Sequence, residues 1–361
     1  MTVMKRLDAY LASTDYEAVW LARPNSFAWL TEGGDNIVDR TGDIGEAAVG
    51  YDGDTVTVVT NNIEAPRLRA EELPEDITIQ TYQWYERDLA AAVAAVSPTP
   101  AAADFPVEGF AAVDASPLRQ PLTADQIETY RDLAHDVADA VESVARSLSP
   151  ETTERDAATT LRTRLESQGI AAPVVLVGGN ERAQAYRHYT PKDKPLGSYA
   201  LVSVTAHRDG LFSSCTRTVA FDDAPTWLTE RTHDAMRVEA SALAATQEVG
   251  RTGGTAGDVF EAIQDAYAVL GWAGEWEHHH QGGAAGFAGR EWIATPESTE
   301  SVELPMAYAW NPTVQGAKSE DLFLVTDEEI EPLTVTGDWP TTTVSAVDSS
   351  VALERHTVLE R

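Results

Sequence analysis

Three consecutive histidines, His278, His279 and His280, are the most conspicuous candidates for chemistry in this chain. Imidazole titrates near neutral pH and is the commonest side-chain metal ligand. In an extended segment, however, consecutive side chains point to opposite faces. We therefore expect His279 alone, or His278 together with His280, to face any one pocket. The run by itself does not predict three ligands.

Ser214 and Cys215 are the candidate nucleophiles. Each would need a base and an orienting group close by in space, which a sequence cannot display. Alternation along a strand turns Cys215 away from the face shared by Ser214 and Thr216, so we expect Cys215 to be a small buried residue. Because it is the single cysteine, no intrachain disulfide can form, which fits a reducing compartment.

The charge of the chain is strongly acidic, with 58 Asp and Glu against 26 Lys and Arg, spread along the whole length. Such a surface repels phosphate backbones and anionic lipids, so nucleic-acid and membrane partners are not expected. The longest apolar run, residues 89–96, is too short for a membrane span, and no signal peptide is evident. We expect a cytoplasmic protein with a solvated acidic surface suited to a salty cytosol.

The elements that must position these residues are expected to form two domains, because a chain of 361 residues is longer than a single hydrophobic core usually supports. The N-terminal third alternates helical and extended segments, as an α/β unit does. Strands are predicted at 18–22, 47–51 and 55–60, with Asp52-Gly53-Asp54 as a hairpin turn and Pro24-Asn25 as a turn. A proline cluster at Pro117 and Pro121 marks the boundary, giving domains 1–119 and 120–361.

The second domain opens with a capping-box pattern at Thr123 and Gln126, followed by apolar residues at helical spacing up to Leu148. Pro150 is expected to open a second helix that Gly169 ends. The remaining predicted elements are extended segments at 174–177, 199–205 and 211–221, a helix pair at 226–246 and 255–270, and then glycine-rich loop and strand.

Four strings resemble the superfamily of creatinase, prolidase, aminopeptidase P and methionine aminopeptidase. PNSFAWLT (24–31) is similar to "N-x-x-Y-L-T-G", and GLFSSCTRT (210–218) to "GYxSDxTRT". HHQGGAAG (279–286) is similar to "HGLGHxxG", and GAKSEDLFLV (316–325) to "GxRxEDxxLV". The resemblance covers nearly the whole chain. It implies an α/β (α+β) protein, with a creatinase-like N-terminal α/β domain followed by a pita-bread domain, and it implies a homodimer.

The metallopeptidases of this superfamily hold two divalent ions with two aspartates, a histidine and two glutamates, which activate a bridging water. At the corresponding positions this chain has Ser203, Ser214, Gly283 and Asn311, and only Glu320 keeps a carboxylate. Hydroxyls, an amide and a glycine do not replace anionic and imidazole ligands. The resemblance therefore predicts no metal site and no cofactor.

Creatinase, which works without metal, uses a histidine as base and acid, and the corresponding residue here is His188. Without that resemblance, His188 would be interpreted as a surface-loop histidine. His279 matches a substrate-contacting histidine of the family. The predicted catalytic residues are His188, Glu320 and His279. The predicted substrate-binding residues are Arg208, Ser214, Gln281, Arg290, Glu291, Asn311 and Lys318.

Cationic residues near these strings suit a carboxylate or another anionic group. The alternative is that each arginine pairs with a neighbouring acid, which is the role expected for Arg217. Our leading hypothesis is a metal-independent hydrolase that acts on a small C–N bonded substrate, an amide or a guanidino compound. The alternatives are a non-catalytic member that binds a peptide or small molecule and, third, a retained metal-dependent Xaa-Pro aminopeptidase.

Overall fold

Short apolar strands near the N-terminus build a six-stranded mixed sheet. The computed structural model describes residues 2–361. Strand β1 pairs antiparallel with β2 and parallel with β5, and the strand order is β4-β3-β2-β1-β5-β6. The elements are α1 (Val3–Ser13), β1 (Ala18–Leu21), α2 (Pro24–Leu30), β2 (Ala47–Tyr51), β3 (Val56–Asn61), α3 (Ala65–Arg67), β4 (Thr78–Tyr82), α4 (Leu89–Val96), β5 (Ala101–Ala103) and β6 (Ala111–Ala112).

The predicted hairpin is confirmed, because β2 and β3 pair antiparallel across residues 52–55. The predicted turn at Pro24-Asn25 is wrong. Pro24 instead occupies the first turn of helix α2, where its fixed φ and missing N–H are tolerated. Asp104 holds this helix entry, since its Oδ1 accepts the main-chain N–H of Ala22 at 2.7 Å.

Long amphipathic helices dominate the second part of the chain. Helix α5 begins directly after Thr123, as predicted, and buries the apolar face that runs from Tyr130 to Ala145. Helix α6 begins later than predicted, at Glu154 and not at Pro150, because the hydroxyl of Thr153 accepts the N–H of Asp156 and caps it. The helices are α5 (Ala124–Ser147), α6 (Glu154–Glu166), α7 (Asn180–Ala185), α8 (Leu228–Thr252) and α9 (Ala256–Val269).

Two four-stranded sheets accompany these helices. One has the order β18-β9-β8-β7, and the other has the order β10-β11-β14-β15. Short two-stranded ladders, β12-β13 and β16-β17, complete the set. The strands are β7 (Ala171–Gly179), β8 (Tyr199–Arg208), β9 (Leu211–Ala220), β10 (Gly282–Ala285), β11 (Met306–Trp310), β12 (Thr313–Val314), β13 (Ala317–Lys318), β14 (Phe323–Val325), β15 (Ile330–Pro332), β16 (Thr341–Ser345), β17 (Ala352–His356) and β18 (Leu359–Glu360).

The chain divides into two compact units. The first comprises residues 2–123 with 209–211, and the second comprises residues 124–208 with 212–361. Within residues 2–361, no helix combines the length and the apolar character needed to cross a membrane.

A buried network of ion pairs joins α5, β9 and β17 to the segment around Asp321 in the second unit. Arg217 on β9 donates to Glu142 of α5 and to Asp321, at 3.1 and 2.8 Å. Asp321 also lies 2.8 Å from Nη1 of Arg355 and from Nδ1 of His356, both on β17. These ion pairs are nearly inaccessible to solvent, and they fix the segment that carries Glu320. The structural role expected for Arg217 is confirmed.

Candidate functional site

Glu320 is the centre of a buried cluster of polar side chains. Its Oε1 accepts a hydrogen bond from Nη2 of Arg290 at 3.0 Å. Its Oε2 lies 2.7 Å from Nζ of Lys318 and 2.8 Å from the Thr216 hydroxyl, which donates to it. Burial raises the pKa of Glu320, but Lys318 and Arg290 outweigh it and hold the pKa below its ordinary value. Glu320 is therefore an ionised carboxylate, and both of its oxygens have hydrogen-bond or ion-pair partners.

This ionised carboxylate sets the direction of a chain of hydroxyls. Glu320 can only accept, so Thr216 donates to it and must accept from Ser203, whose Oγ lies 2.8 Å away. Ser203 in turn accepts from the phenol of Tyr189 at 3.1 Å. Burial raises the pKa of Tyr189, so the phenol keeps its proton. The chain Tyr189 to Ser203 to Thr216 to Glu320 thus satisfies buried hydroxyls on β8 and β9.

Ser214 joins the same cluster through Arg290. Its Oγ lies 2.9 Å from the hydroxyl of Thr205 and accepts from Nη1 of Arg290 at 3.3 Å. Nη2 of the same guanidinium holds Glu320, so Arg290 bridges the two residues. Cys215 is fully buried, as expected, and burial raises the pKa of its thiol. The thiol therefore stays protonated at neutral pH and is not a nucleophile.

Gly283 on β10 has no room for a side chain. A Cβ at this position would lie 2.1 Å from the carbonyl oxygen of Trp292 and 2.8 Å from its indole ring. Trp292 in turn packs against Tyr308 and Trp310 of β11, with ring centroids 5.9 and 6.3 Å away. An aromatic wall therefore occupies the direction in which a residue at position 283 would project.

Three polar atoms of the predicted site are buried without a hydrogen-bond partner. They are Nε of Arg290, a donor, Oδ1 of Asn311, an acceptor, and Nδ1 of His279. Asn311 precedes β12, whose Thr313 pairs with Lys318 of β13. Buried polar atoms are nearly always paired in folded proteins, so unpaired ones call for a specific cause.

Three imidazoles converge beside this cluster. Nε2 of His188 lies 3.3 Å from Nε2 of His279, and the two rings meet edge to face. The His280 ring stacks on His279, with centroids 4.4 Å apart. One nitrogen from each of the three histidines lies within 4.8 Å of the other two. The expectation that neighbouring histidines face opposite sides is wrong for His279 and His280.

All three imidazoles are neutral at pH 7. Burial, followed by the charge of Lys318, lowers the pKa of His279 to about 2, and His279 is 8 % exposed. The pKa of His280 is lowered to about 4 by loss of hydration and by Arg290 and Lys318, although much of this side chain is exposed. The pKa of exposed His188 is lowered by loss of hydration and by Lys318, against an opposing effect of Glu320.

Buried contacts hold both histidine segments in place. Nη2 of Arg187 lies 2.5 Å from Oε1 of Glu275, which opens the short turn leading to His279. The predicted ligand-binding residue Gln281 is fully buried and serves the same segment. Its amide donates to the carbonyl of His279 at 2.5 Å and accepts from the hydroxyl of Tyr267 at 3.0 Å. The imidazoles are thus positioned by bonds on both sides.

Two other predicted site residues have contacts of a different kind. Arg208 at the end of β8 donates to Asp136 of α5 at 2.8 Å, which is the arginine–acid pairing considered as the alternative. Glu291 is partly exposed, and its main-chain N–H bonds to Ala284 of β10. The cluster around Glu320 therefore consists, among the predicted residues, of Arg290, Lys318, Ser203 and Ser214, with His188, His279 and His280 beside it.

The model of metallopeptidase family M24 matches residues 128–327, more than half of the chain. The chain belongs to metallopeptidase family M24. A comparison with curated proteins finds no match. The predicted membership of the creatinase/prolidase superfamily and the predicted pita-bread fold class are both confirmed.

Several solved structures are similar to this chain in architecture. Prolidase from Pyrococcus furiosus is 16% identical, with a TM-score of 0.74 over 91% of this chain and 99% of that one. Dipeptidase PepE from Mycobacterium ulcerans is 18% identical, with a TM-score of 0.73 over 99% and 97%. The N-terminal domain of FACT complex subunit SPT16 from Cicer arietinum is similar too, at 12% identity, a TM-score of 0.61, and 93% and 97% coverage.

The residues that the resemblance places at the two-ion centre offer few free metal ligands. Ser203 and Ser214 offer hydroxyls that are already hydrogen-bonded, and position 283 cannot carry a side chain. Glu320, the remaining carboxylate of the set, is already ion-paired with Lys318 and Arg290. Divalent ions need several free anionic or imidazole ligands, and one paired carboxylate does not supply them.

Sequence reasoning missed several residues that organise the site. Thr216 links Ser203 to Glu320, and the pair Arg187–Glu275 joins segments 88 positions apart. Thr216 lies inside the recognised GLFSSCTRT string, so strand alternation offered a signal for it. No local pattern connects Arg187 with Glu275.

Proposed function

We propose that this M24 member works without the superfamily's two-ion centre and binds a ligand with a free carboxylate, such as a short peptide, at Lys318 and Arg290. The supporting observation is that both oxygens of Glu320 are held by protein cations. Protein-borne positive charges thus stand beside the carboxylate that would otherwise be a metal ligand.

The charge balance favours an anionic ligand. Lys318 and Arg290 carry two positive charges against the single negative charge of Glu320, and all three side chains are almost fully buried. The neighbouring histidines are neutral and add no charge. A buried excess of positive charge is costly unless an anion compensates it, and arginine binds carboxylates through paired N–H groups.

The unpartnered atoms favour a ligand that also has an amide. Nε of Arg290 is an unused donor that a carboxylate oxygen can accept from. Oδ1 of Asn311 is an unused acceptor that a peptide N–H can satisfy. Exposed His188 and His280 lie on the solvent side of the cluster. A short peptide offers both groups, whereas a simple carboxylate offers one.

A guanidino substrate fits this site less well. A guanidinium group is recognised by free carboxylate oxygens, and those of Glu320 already bind Arg290, Lys318 and Thr216. We therefore favour a carboxylate over a guanidinium as the recognised group.

A pair of matched peptides tests the proposal. Thermal unfolding and calorimetry are compared for Ala-Pro with a free carboxylate and for its C-terminal amide. We expect the free acid to stabilise the protein and the amide to bind at least about tenfold more weakly, because a charge-assisted contact is lost. Succinate is included as a carboxylate without a peptide bond.

Substitutions locate the binding. Lys318→Met and Arg290→Gln should each weaken binding of the free acid at least about tenfold. Lys192→Met, a lysine away from the cluster, should leave it unchanged. Equal binding of acid and amide, undiminished binding in both cluster variants, or no binding of any of these compounds would each overturn the proposal.

Hydrolysis of an amide without metal is the second candidate. The observation in its favour is the pair of imidazole nitrogens 3.3 Å apart, one on exposed His188 and one on buried His279. A neutral imidazole at the solvent side can take a proton from an attacking water, and its neighbour can hold it in orientation. Turnover of a dipeptide amide should fall at least about a hundredfold in His188→Asn. An unchanged turnover rate in both His188→Asn and Glu320→Gln would exclude this mechanism.

A further inference from the structure

The three histidines form a cluster that the proposed carboxylate site does not use. His188 follows α7, whereas His279 and His280 precede β10, so two distant chain segments supply the imidazoles. Candidate ligand nitrogens from all three lie within 4.8 Å of one another. Nδ1 of buried His279 has no hydrogen-bond partner, and Nε2 is the nitrogen of this ring that faces His188.

The separation of the best-placed pair has the dimension of a metal site. In a tetrahedral zinc site with Zn–N bonds of 2.0–2.1 Å, two ligand nitrogens are about 3.3 to 3.4 Å apart. Nε2 of His188 and Nε2 of His279 are 3.3 Å apart. The nitrogen that His280 offers lies within 4.8 Å of the other two, and its side chain is exposed, so it has room to turn toward the same centre.

The two segments are fixed relative to each other before any ion binds. Arg187, next to His188, is paired with Glu275, and these side chains are 15% and 12% exposed. The Arg187 guanidinium also donates to the hydroxyl of Thr313 at 3.2 Å. Gln281 holds the carbonyl of His279 from the other side. Such supporting bonds orient ligands and reduce the ordering cost of binding.

We infer that His188, His279 and His280 form a binding site for one transition-metal ion of the zinc, cobalt, nickel or copper class. Imidazole ligands select this class over magnesium and calcium, which prefer oxygen. Three protein nitrogens leave a fourth tetrahedral position open to solvent or to a ligand atom, as in catalytic and not structural zinc sites. Both exposed histidines give the ion a route from solvent.

This site differs in place and ligands from a two-ion centre at Glu320. It uses none of Ser203, Ser214, Gly283, Asn311 and Glu320. Its ligands are separate from the residues of the carboxylate proposal, Lys318 and Arg290, although the charge of Lys318 acts on all three histidines. An ion bound to Nε2 of His188 removes that atom as a proton acceptor, so the loaded and metal-free proteins would differ in any His188-dependent reaction.

Cobalt(II) titration of the full chain, stripped with a chelator, tests the inference. We expect one ion per chain and the intense visible absorption of four-coordinate cobalt, with zinc displacing it. His188→Ala and His280→Ala should each weaken cobalt binding at least about tenfold, since loss of mere supporting residues already costs that much. Both residues are exposed, so folding is verified simply by comparing thermal unfolding of the metal-free variants.

Two control variants distinguish this site from a neighbouring histidine and from the two-ion centre. His278→Ala, in the same histidine run but outside the cluster, should bind cobalt like the original chain. Glu320→Gln should also retain cobalt binding, whereas loss there would place the ion at the two-ion centre.

Weak six-coordinate absorption, equal weakening by His278→Ala, or binding unaffected by His188→Ala and His280→Ala would each overturn the inference. Lys318→Met should abolish the peptide effect while leaving cobalt bound, so the two proposals fail separately.

Discussion

Nζ of Lys318 lies 2.7 Å from Oε2 of Glu320, and the two side chains are only 6% and 5% exposed. The pair is therefore shielded from solvent, and the carboxylate depends on its protein cations to stay ionised. Together with Arg290, Lys318 lowers the pKa of Glu320 against the opposing effect of burial. This dependence makes the stability of the cluster sensitive to pH.

Lys318→Met should destabilise the protein by about 3 kcal/mol near pH 7, because a buried carboxylate loses one of its two cations. In the original chain the pKa of Glu320 is depressed, so its stabilisation is present above an unfolded pKa of 4.5 and is lost as pH falls below that. The variant raises this pKa, so Glu320 takes up a proton on mild acidification. Urea unfolding at about pH 7 and about pH 5 should show a smaller difference at the lower pH.

The control for this experiment is Lys192→Met, which removes a lysine outside the cluster and should change stability by less than about 0.5 kcal/mol at either pH. A Lys318→Met penalty that is the same at both pH values would show that lost packing, and not the charge of Glu320, is responsible.

Arg217→Met should destabilise the protein by about 3 to 5 kcal/mol in urea unfolding, because it leaves Glu142 and Asp321 buried with fewer cations. Arg146→Met removes another partner of Glu142, but Arg146 is 37% exposed, so its loss should cost less than about 1 kcal/mol. Similar effects of the two substitutions would contradict the view that burial, and not mere pairing with Glu142, determines the contribution.

Much of the fold was predictable because local patterns agree with the tertiary structure. The apolar spacing after Thr123 predicted α5, and the Asp52-Gly53-Asp54 turn predicted the β2–β3 hairpin. Strand β5 at Ala101–Ala103 gave no such signal. Alanine has low strand propensity, and these residues form a strand only because they pair with β1 and pack in the core.

The sequence pointed to side chains that lie close together in the structure, but it did not show how they are arranged. Family resemblance indicated His188, His279, Lys318 and Glu320, but it did not reveal that Lys318 pairs with Glu320. The alternation argument failed for His279 and His280 because it holds only along a regular strand. His279 and His280 follow a short 3₁₀ turn at Glu275–His278 and precede β10, so they lie outside any strand.

Arg187→Met should weaken cobalt binding at the histidine cluster by roughly 10-fold to 100-fold while leaving one ion per chain and the four-coordinate spectrum. The physical reason is that the Arg187–Glu275 pair aligns the two segments without itself being a ligand. Arg187→Lys, which keeps a charge for Glu275, should restore part of the affinity. Unchanged cobalt affinity in Arg187→Met would show that the imidazoles are positioned by other contacts.

Gly283→Ala should destabilise the protein by about 2 to 3 kcal/mol in urea unfolding, because the added Cβ would lie 2.1 Å from the Trp292 carbonyl and the backbone must shift. Gly289→Ala is the matched control, since its Cβ would first meet the Thr205 methyl at 3.4 Å, an ordinary contact. It should change stability by less than about 1 kcal/mol. A well-tolerated Gly283→Ala would mean that the Trp292 wall can move aside, and a histidine ligand at position 283 would then be sterically possible.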